Sequence, residues 1–230
     1  PEVWPKQKLF SIALSIKGTL WRTPPVLYSR NILKILTKTL DNPAIQCYTV
    51  SILNEKGIVM KLLSTGNPKV LKGQAQGYNT YILHLAPANL SGFETCPKRT
   101  AGCSAACLNT AGRGGMFKKG ETTNMIQQAR IRKTKQFFQD RAGFMADLVK
   151  DIQLAIKQSA RLDLIPVFRL NGTSDLSFEK YEAVRDGVTY SNIMTAFPEV
   201  QFYDYTKILG RKVSHIPNYH LTFSAADGND

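Results

Sequence analysis

The sequence predicts an α/β fold: a parallel sheet of alternating strands and helices, forming part of a (β/α) barrel, behind a poorly defined N-terminal extension. Three observations predict it. Apolar runs of strand type recur at 81–86, 165–170, 200–205 and 219–224, two long helical stretches separate the first two runs, and polar residues follow each run. Strands that alternate with helices pair in parallel through right-handed crossovers. At 230 residues and 43% hydrophobic, the chain can bury a full core. One main domain is expected over 58–230 and an extension over 1–57.

The extension reads as a helix over about 29–40 and a strand over about 46–53. Its apolar stretch, 9–20, is too short to span a membrane and carries Lys17, with Lys6 and Lys8 just before it. Trp21-Arg22 stands where a signal peptide needs small residues, so none is expected. Residues 81–86 form the first clear strand, stopped by Pro87. A helix from about 122 opens on the capping side chains of Glu121 to Asn124, with Met125, Ile126, Ala129, Ile131, Phe137 and Phe138 as its apolar stripe. A second helix covers 141–160, where Phe144, Leu148, Ile152 and Ile156 recur at helical spacing. Residues 165–170 read as a buried strand ending in Asn171-Gly172-Thr173-Ser174-Asp175. Helices are expected over 178–186 and 190–196, broken at Gly187, and the strands at 200–205 and 219–224 complete the pattern.

Three of the four cysteines, Cys96, Cys103 and Cys107, lie at C-x6-C-x3-C spacing directly after the first strand. Thiolates are soft ligands, and three in one loop can converge on a zinc ion or on three irons of a [4Fe-4S] cluster, leaving the fourth iron open. An odd number cannot close disulfides among themselves, and Cys47 is distant, either a buried thiol or a fourth ligand. The spacing is not that of a zinc ribbon, and neither His84 nor His215 stands at finger spacing. Zinc is therefore possible without being signalled by the pattern, and a [4Fe-4S] cluster with one open iron is the alternative. The plainer alternative is three reduced thiols packed in a turn.

Parallel sheets bind ligands at the carboxyl ends of their strands. The cysteine loop, the stretch Asn171 to Asp175, the pair Thr206-Lys207, and Ser224 with Asp227 all follow strands. Asp175 and Lys207 are the candidate catalytic groups, suited to proton transfer or to holding a ligand's ammonium and carboxylate. Asn171, Ser174, Thr206 and Ser224 are candidate ligand contacts. Asp175 reads equally well as a cap for a helix starting near Ser177, and Lys207 as a solvated side chain. Gly112, Arg113 and Gly114 match neither a P-loop nor a dinucleotide fingerprint; they are expected at the rim of the same pocket, the glycines permitting close approach and Arg113 offering a forked donor. His84, inside a strand, reads as a satisfied core residue.

The formal net charge is +13. Such a field favours anionic partners, from phosphorylated ligands to nucleic acid. Arg130, Arg132, Lys133 and Lys135 on the first long helix are candidates to track a phosphate backbone, or simply cover a solvated face. Clustered free thiols suit a reducing cytoplasm.

Residues Leu63-Ser-Thr-Gly-Asn67, His84-Leu-Ala-Pro87, Ser91-Gly92, Cys96-Pro97, Gly102-Cys103 and Cys107-Leu-Asn-Thr-Ala-Gly-Arg113 resemble, in order, the gene product 88 family of phage and plasmid proteins. Ala129-Arg-Ile-Arg-Lys-Thr134, Asp140-Arg141, Arg169 to Asp175 and Phe202-Tyr-Asp-Tyr-Thr-Lys207 extend the resemblance, which covers about 61–224. It implies a phage or prophage context in a bacterial cytoplasm, with no settled activity, and a chain whose relatives continue beyond the C-terminal residues here. The strand, cysteine loop and helix, followed by a Ser-Asp strand tip, also resemble radical S-adenosylmethionine enzymes, although those usually space their cysteines C-x3-C-x2-C. That likeness implies an enzyme in which Cys96, Cys103 and Cys107 hold a [4Fe-4S] cluster and S-adenosylmethionine meets Asp175, Lys207 and Arg113. The rival expectation is a non-catalytic nucleic-acid-binding phage protein with structural zinc.

Overall fold

The structure is a computed structural model that describes residues 53–54, 57–58, 61–65 and 68–225, all in the second of two units, 1–52 and 53–230, into which the chain divides. The helix expected over 29–40, residues 46–52 of the expected strand, Cys47 and Asp227 lie outside the described residues.

A two-stranded hairpin comes first, β1 (Leu53–Asn54) against β2 (Gly57–Ile58). Then follow β3 (Leu63–Ser64), the short helix α1 (Pro68–Gln74) and β4 (Tyr78–Leu83). The cysteine segment contains α2 (Ala101–Ala105) and leads to the long helices α3 (Met125–Gln139) and α4 (Arg141–Arg161). After β5 (Ile165–Arg169) come the hairpin β6 (Ala183–Arg185) and β7 (Val188–Tyr190), the one-turn helix α5 (Ile193–Ala196), β8 (Gln201–Thr206) and β9 (Tyr219–Phe223). The main sheet has five strands in the order β3-β4-β5-β8-β9. β3 runs antiparallel to β4, and the other three pairings are parallel. Among the described residues this sheet is open, with β3 and β9 at its edges.

Register explains the core. Tyr81, Phe168, Phe202 and Tyr219 are cross-strand partners in turn, so one row of rings crosses the sheet on a single face. Tyr81 stacks on Phe168 at 5.5 Å between centroids, and Phe168 lies 5.4 Å from Phe202. Helix α4 packs on this face through Phe144, Leu148 and Ile152, all fully buried. Each such side chain removed from water contributes about 2 kcal/mol, so the stripe anchors the helix. Inside the contact, the Tyr81 hydroxyl donates to the Ala155 carbonyl at 3.1 Å, and the Asn79 amide donates to the Tyr81 oxygen at 2.8 Å. The edge strand is fixed from the same helix: the Asp151 carboxylate accepts the backbone N–H groups of Leu62 and Leu63 at 2.6 and 3.0 Å.

The expected helix over 141–160 is present almost residue for residue, capped by Asp140, whose carboxylate accepts the Gly143 N–H at 2.9 Å. The helix expected from about 122 begins at Met125, after the Asn124 side chain caps it by accepting the Gln127 N–H at 3.0 Å. Its stripe is rotated from the expected one. Met125 and Ile126 are exposed, while Gln127, Thr134 and Phe137 are buried. Polar partners explain the rotation: Gln127 donates to the Gly114 carbonyl at 2.9 Å, and the Thr134 hydroxyl accepts the Ala86 N–H at 2.8 Å.

The helix expected over 178–186 is not formed. A single 3-10 turn spans Phe178–Lys180, and the chain then pairs as the β6–β7 hairpin. Asp186 and Gly187 both have positive φ, 52° and 83°, the backbone of a two-residue Asp-Gly hairpin turn rather than a helix break. The next expected helix, over 190–196, shrinks to α5, because the Asn192 side chain caps the backbone at Thr195 and starts the helix late.

Candidate functional site at the carboxyl rim of the sheet

The chain leaves β4 through Ala86 and Pro87 and is pinned by Thr95. The Thr95 hydroxyl donates to the Ala86 carbonyl at 2.7 Å, and its own carbonyl accepts the Asp175 N–H at 2.8 Å. One buried threonine thus holds the start of the cysteine segment against the tip of β5. The contact is reinforced by Thr173, whose hydroxyl donates to the Leu85 carbonyl at 2.6 Å.

Each cysteine has its own local frame. The Cys96 sulfur accepts the Ala88 N–H at 3.5 Å and lies 3.8 Å from the Thr173 carbonyl. Cys103 sits on α2, which Thr100 caps by accepting the Cys103 N–H at 3.1 Å. The Cys107 sulfur accepts the Asn109 N–H at 3.5 Å and opens the turn Leu108–Thr110. All three are free and half-buried. Burial pushes the Cys96 thiol above its ordinary range, and the neighbouring Cys107 adds to the rise. Arg99, which ion-pairs with Glu94, and Arg130 supply compensating positive charge beside these sulfurs.

The three cysteines line one cavity of about 400 Å³ whose opposite wall is built from strand ends. β5 contributes Arg169 and the tip Asn171 to Asp175; β8 contributes Tyr205, Thr206 and Lys207; β9 contributes Ser224 just past its end. Thus Asn171, Ser174, Asp175, Thr206, Lys207 and Ser224 come together with the thiols. Gly112, Arg113 and Gly114 do not: they lie outside the lining, in a 3-10 turn. Gly114 is small for packing, since a Cβ there would meet the Asn109 carbonyl at 2.4 Å.

Asp175 caps no helix. Its carboxylate accepts the Lys207 backbone N–H at 2.8 Å and pairs with Arg211 at 3.2 Å. The Lys207 ammonium donates to the Ser224 hydroxyl at 2.9 Å and carbonyl at 3.2 Å, which closes the β8–β9 side of the rim. Behind this wall lies a buried polar scaffold. Asp204 on β8 accepts the Asn171 backbone N–H at 2.7 Å and side-chain amide at 3.2 Å. The Asn171 side-chain oxygen in turn accepts from the Ser174 hydroxyl at 2.9 Å. Arg211 forks onto Glu179 at 2.9 and 2.6 Å and donates to the Tyr219 oxygen at 3.1 Å. Burial raises the Asp204 carboxyl to about pH 7, against the lowering pull of the Asn171 bonds and of Arg169 and Arg211.

Sequence reading missed three residues here. Arg169 and Asp204 each put a charge inside an otherwise apolar strand run, and that interruption is the signal that could have found them. Arg211 follows Gly210 in a loop, with no pattern around it.

The basic helix face is divided. Arg132 and Lys135 are exposed, but the Lys133 ammonium turns inward to the Leu62 carbonyl at 2.6 Å, and Arg130 donates to the Asn109 side chain at 2.7 Å. Burial lowers Lys133 to about 8. His84 is partly buried and shares a 3.2 Å hydrogen bond with Ser64; burial, then Arg130, Lys133 and Arg169, lower it to about 4.

Three thiols with backbone N–H groups aimed at two of them suit a soft metal, because such hydrogen bonds stabilise thiolate ligands. Among the described residues, however, no three Cys, His, Asp or Glu side chains stand together as a metal-holding group. The three sulfurs share a cavity but do not form such a group. No helix of the described residues is long and apolar enough to cross a membrane.

No curated protein and no solved structure matches the chain. A family model described as gene product 88 matches residues 61–230, which include every element of the main sheet and the whole rim. The chain belongs to the gene product 88 family.

Proposed function

We propose that the rim cavity is the working site of this phage-type protein: Cys96, Cys103 and Cys107 take a soft metal centre, a [4Fe-4S] cluster before zinc, and a small molecule binds beside it. The observation that carries this reading is that three free thiols from three separate local frames line one cavity opposite the ends of three parallel strands. A cluster held by three cysteines would supply electron transfer and one iron open to a ligand. The chain's own contribution is to bind and orient. Asn171, Ser174 and Thr206 offer polar contacts, and the Lys207 ammonium has three N–H donors, of which Ser224 takes two. Asp175 holds Lys207 and Arg211 in place, which makes it a better anchor of the rim than a proton carrier.

The finer reading is an enzyme of the radical S-adenosylmethionine type in a reducing bacterial cytoplasm, acting on a substrate whose identity the residues do not reveal. The strand order supports it. β4, β5, β8 and β9 are neighbours in chain order with no reversal, as in an arc of a (β/α) barrel.

Anaerobic preparation followed by elemental analysis tests the reading. A cluster gives a brown protein with roughly three to four irons per chain, and Cys103→Ser removes it. One zinc per chain, lost in the same variant, selects the structural-metal alternative. Protein that takes up neither metal overturns the reading. The net charge of +13 keeps a nucleic-acid role open, but with Lys133 and Arg130 turned inward it would fall to Arg132 and Lys135. Binding to DNA or RNA that weakens steeply with salt is its signature.

A further inference from the structure

The most conspicuous group in the cavity is Arg169, which neither the cysteine motif nor the polar strand tips use. Its guanidinium lies over the Tyr205 ring, 4.9 Å from the centroid. Stacking engages only the face of the plane, so the five N–H donors around its edge are left for in-plane acceptors. None is provided. The Nε atom is buried with no hydrogen-bond partner, and among the described residues Arg169 makes no ion pair. A buried donor left unmade costs about 1–3 kcal/mol, more when it is charged. The other cations buried near this rim have protein acceptors: Arg211 two carboxylates, Lys133 the Leu62 carbonyl, and Arg130 the Asn109 side chain, although the Arg130 Nε is likewise buried without a partner.

The surrounding charge is mostly of the same sign, with the buried Asp204 carboxyl as its counterweight. Arg130, Lys133 and Arg169 all bear on His84 and depress its basicity together with burial. Lys207 lines the same cavity as Arg169, and the one carboxylate in the lining, Asp175, is already spent on Arg211 and the Lys207 backbone. The pocket therefore carries net positive charge opposite the thiols, with a planar fork at its floor and an ammonium at its rim.

We propose that Arg169 is an oxyanion receptor: the cavity takes a small molecule bearing a carboxylate or phosphate group, which lies in the plane of the Arg169 guanidinium and within reach of Lys207. A carboxylate fits the fork through two parallel N–H···O bonds, and a phosphate fits it through two of its oxygens. This rests on the rim cavity being the ligand site but requires no metal.

The test uses the full chain, reduced and stripped of metal with a chelator. Inorganic phosphate and succinate are titrated separately by calorimetry at fixed ionic strength, and the arm that saturates at lower concentration names the anion. Arg169→Gln should weaken that binding roughly tenfold or more, the loss expected of one charge-assisted fork. Arg169→Lys, which keeps the charge and loses the fork, should fall between the two and serves as the test should the glutamine variant fail to fold. Equal binding by wild type and both variants, or no saturable binding of either probe, overturns the proposal. The two readings fail separately: saturable anion binding by the chelator-stripped chain upholds this one whether or not iron or zinc is taken up, and metal uptake without anion binding upholds only the other.

Discussion

The carboxyl of Asp204 accepts the backbone N–H of Asn171 at 2.7 Å, so a polar group buried in β8 holds the tip of β5 at the cavity wall. Asp204 is raised from 3.8 to about 7, while His84, also behind the rim, is lowered from 6.5 to about 4. Between those limits the folded chain carries a proton on Asp204 and none on His84; the unfolded chain has the reverse.

The two linkages oppose each other. A raised carboxyl contributes stability that is present below its unfolded value and lost as pH rises through about 7. A lowered histidine contributes stability above its unfolded value that is lost as pH falls toward about 4. In the wild type the pair should nearly cancel across mildly acidic pH. In Asp204→Asn only His84 remains, and stability should fall on acidification by on the order of 2 kcal/mol more than in the wild type. Urea denaturation at several pH values checks this, and parallel curves for the two proteins would contradict it.

Arg211 is buried between Asp175 and Glu179. Arg211→Met should cost about 3–5 kcal/mol, because it leaves two carboxylates without their cation. Arg211→Lys should recover only part, since an ammonium cannot fork onto Glu179 while also reaching Asp175 and Tyr219. Denaturant midpoints of the three proteins decide it; a lysine variant as stable as the wild type would show that charge alone suffices.

Gly172, in the tip that follows β5, lies against the end of β4. A Cβ there would meet the Leu83 carbonyl oxygen at 2.8 Å and the Ile82 Cγ2 at 2.6 Å. Its N–H also donates to that same carbonyl at 2.9 Å. Gly172→Ala should therefore push the strand tips apart and destabilise by about 1–3 kcal/mol, with weaker anion binding at the rim. Unchanged stability and affinity would mean that the tips can separate freely.

Gly187, at φ 83° in the β6–β7 turn, is far in chemistry from the cavity. Gly187→Val places a β-branched residue in the left-handed region and should cost about 1–3 kcal/mol without altering metal uptake or anion affinity. A loss of either binding at full folding would tie this hairpin to the site.

Much of the framework was legible because it is periodic. The stripe Phe144, Leu148, Ile152 announces α4, and the apolar runs announce β4, β5, β8 and β9, since burial of one face leaves a mark every two or 3.6 residues. The cysteines were legible as a group because three thiols so near each other are rare. What was hidden depends on partners distant in sequence. Met125 and Ile126 look like core but yield to Gln127, whose carbonyl partner lies in the glycine turn. Asp204 and Arg211 gain meaning only when folding brings them to Asn171 and Glu179. The Asp186-Gly187 turn was readable by its chemistry, but Gly187 reads equally as a break between two helices.

The unbroken strand order has a last consequence. Open sheets whose order reverses split apart at the reversal and bind ligands in that crevice. From β4 to β9 this sheet never reverses, so it offers no such seam, and the cavity lies instead over a floor of strand tips with connecting segments as its sides. The floor is tied by buried bonds such as Asn171 to Asp204, whereas the cysteine side is tied to it chiefly at its start, through Thr95. Substitutions in those sides should therefore cost less stability than substitutions in the floor.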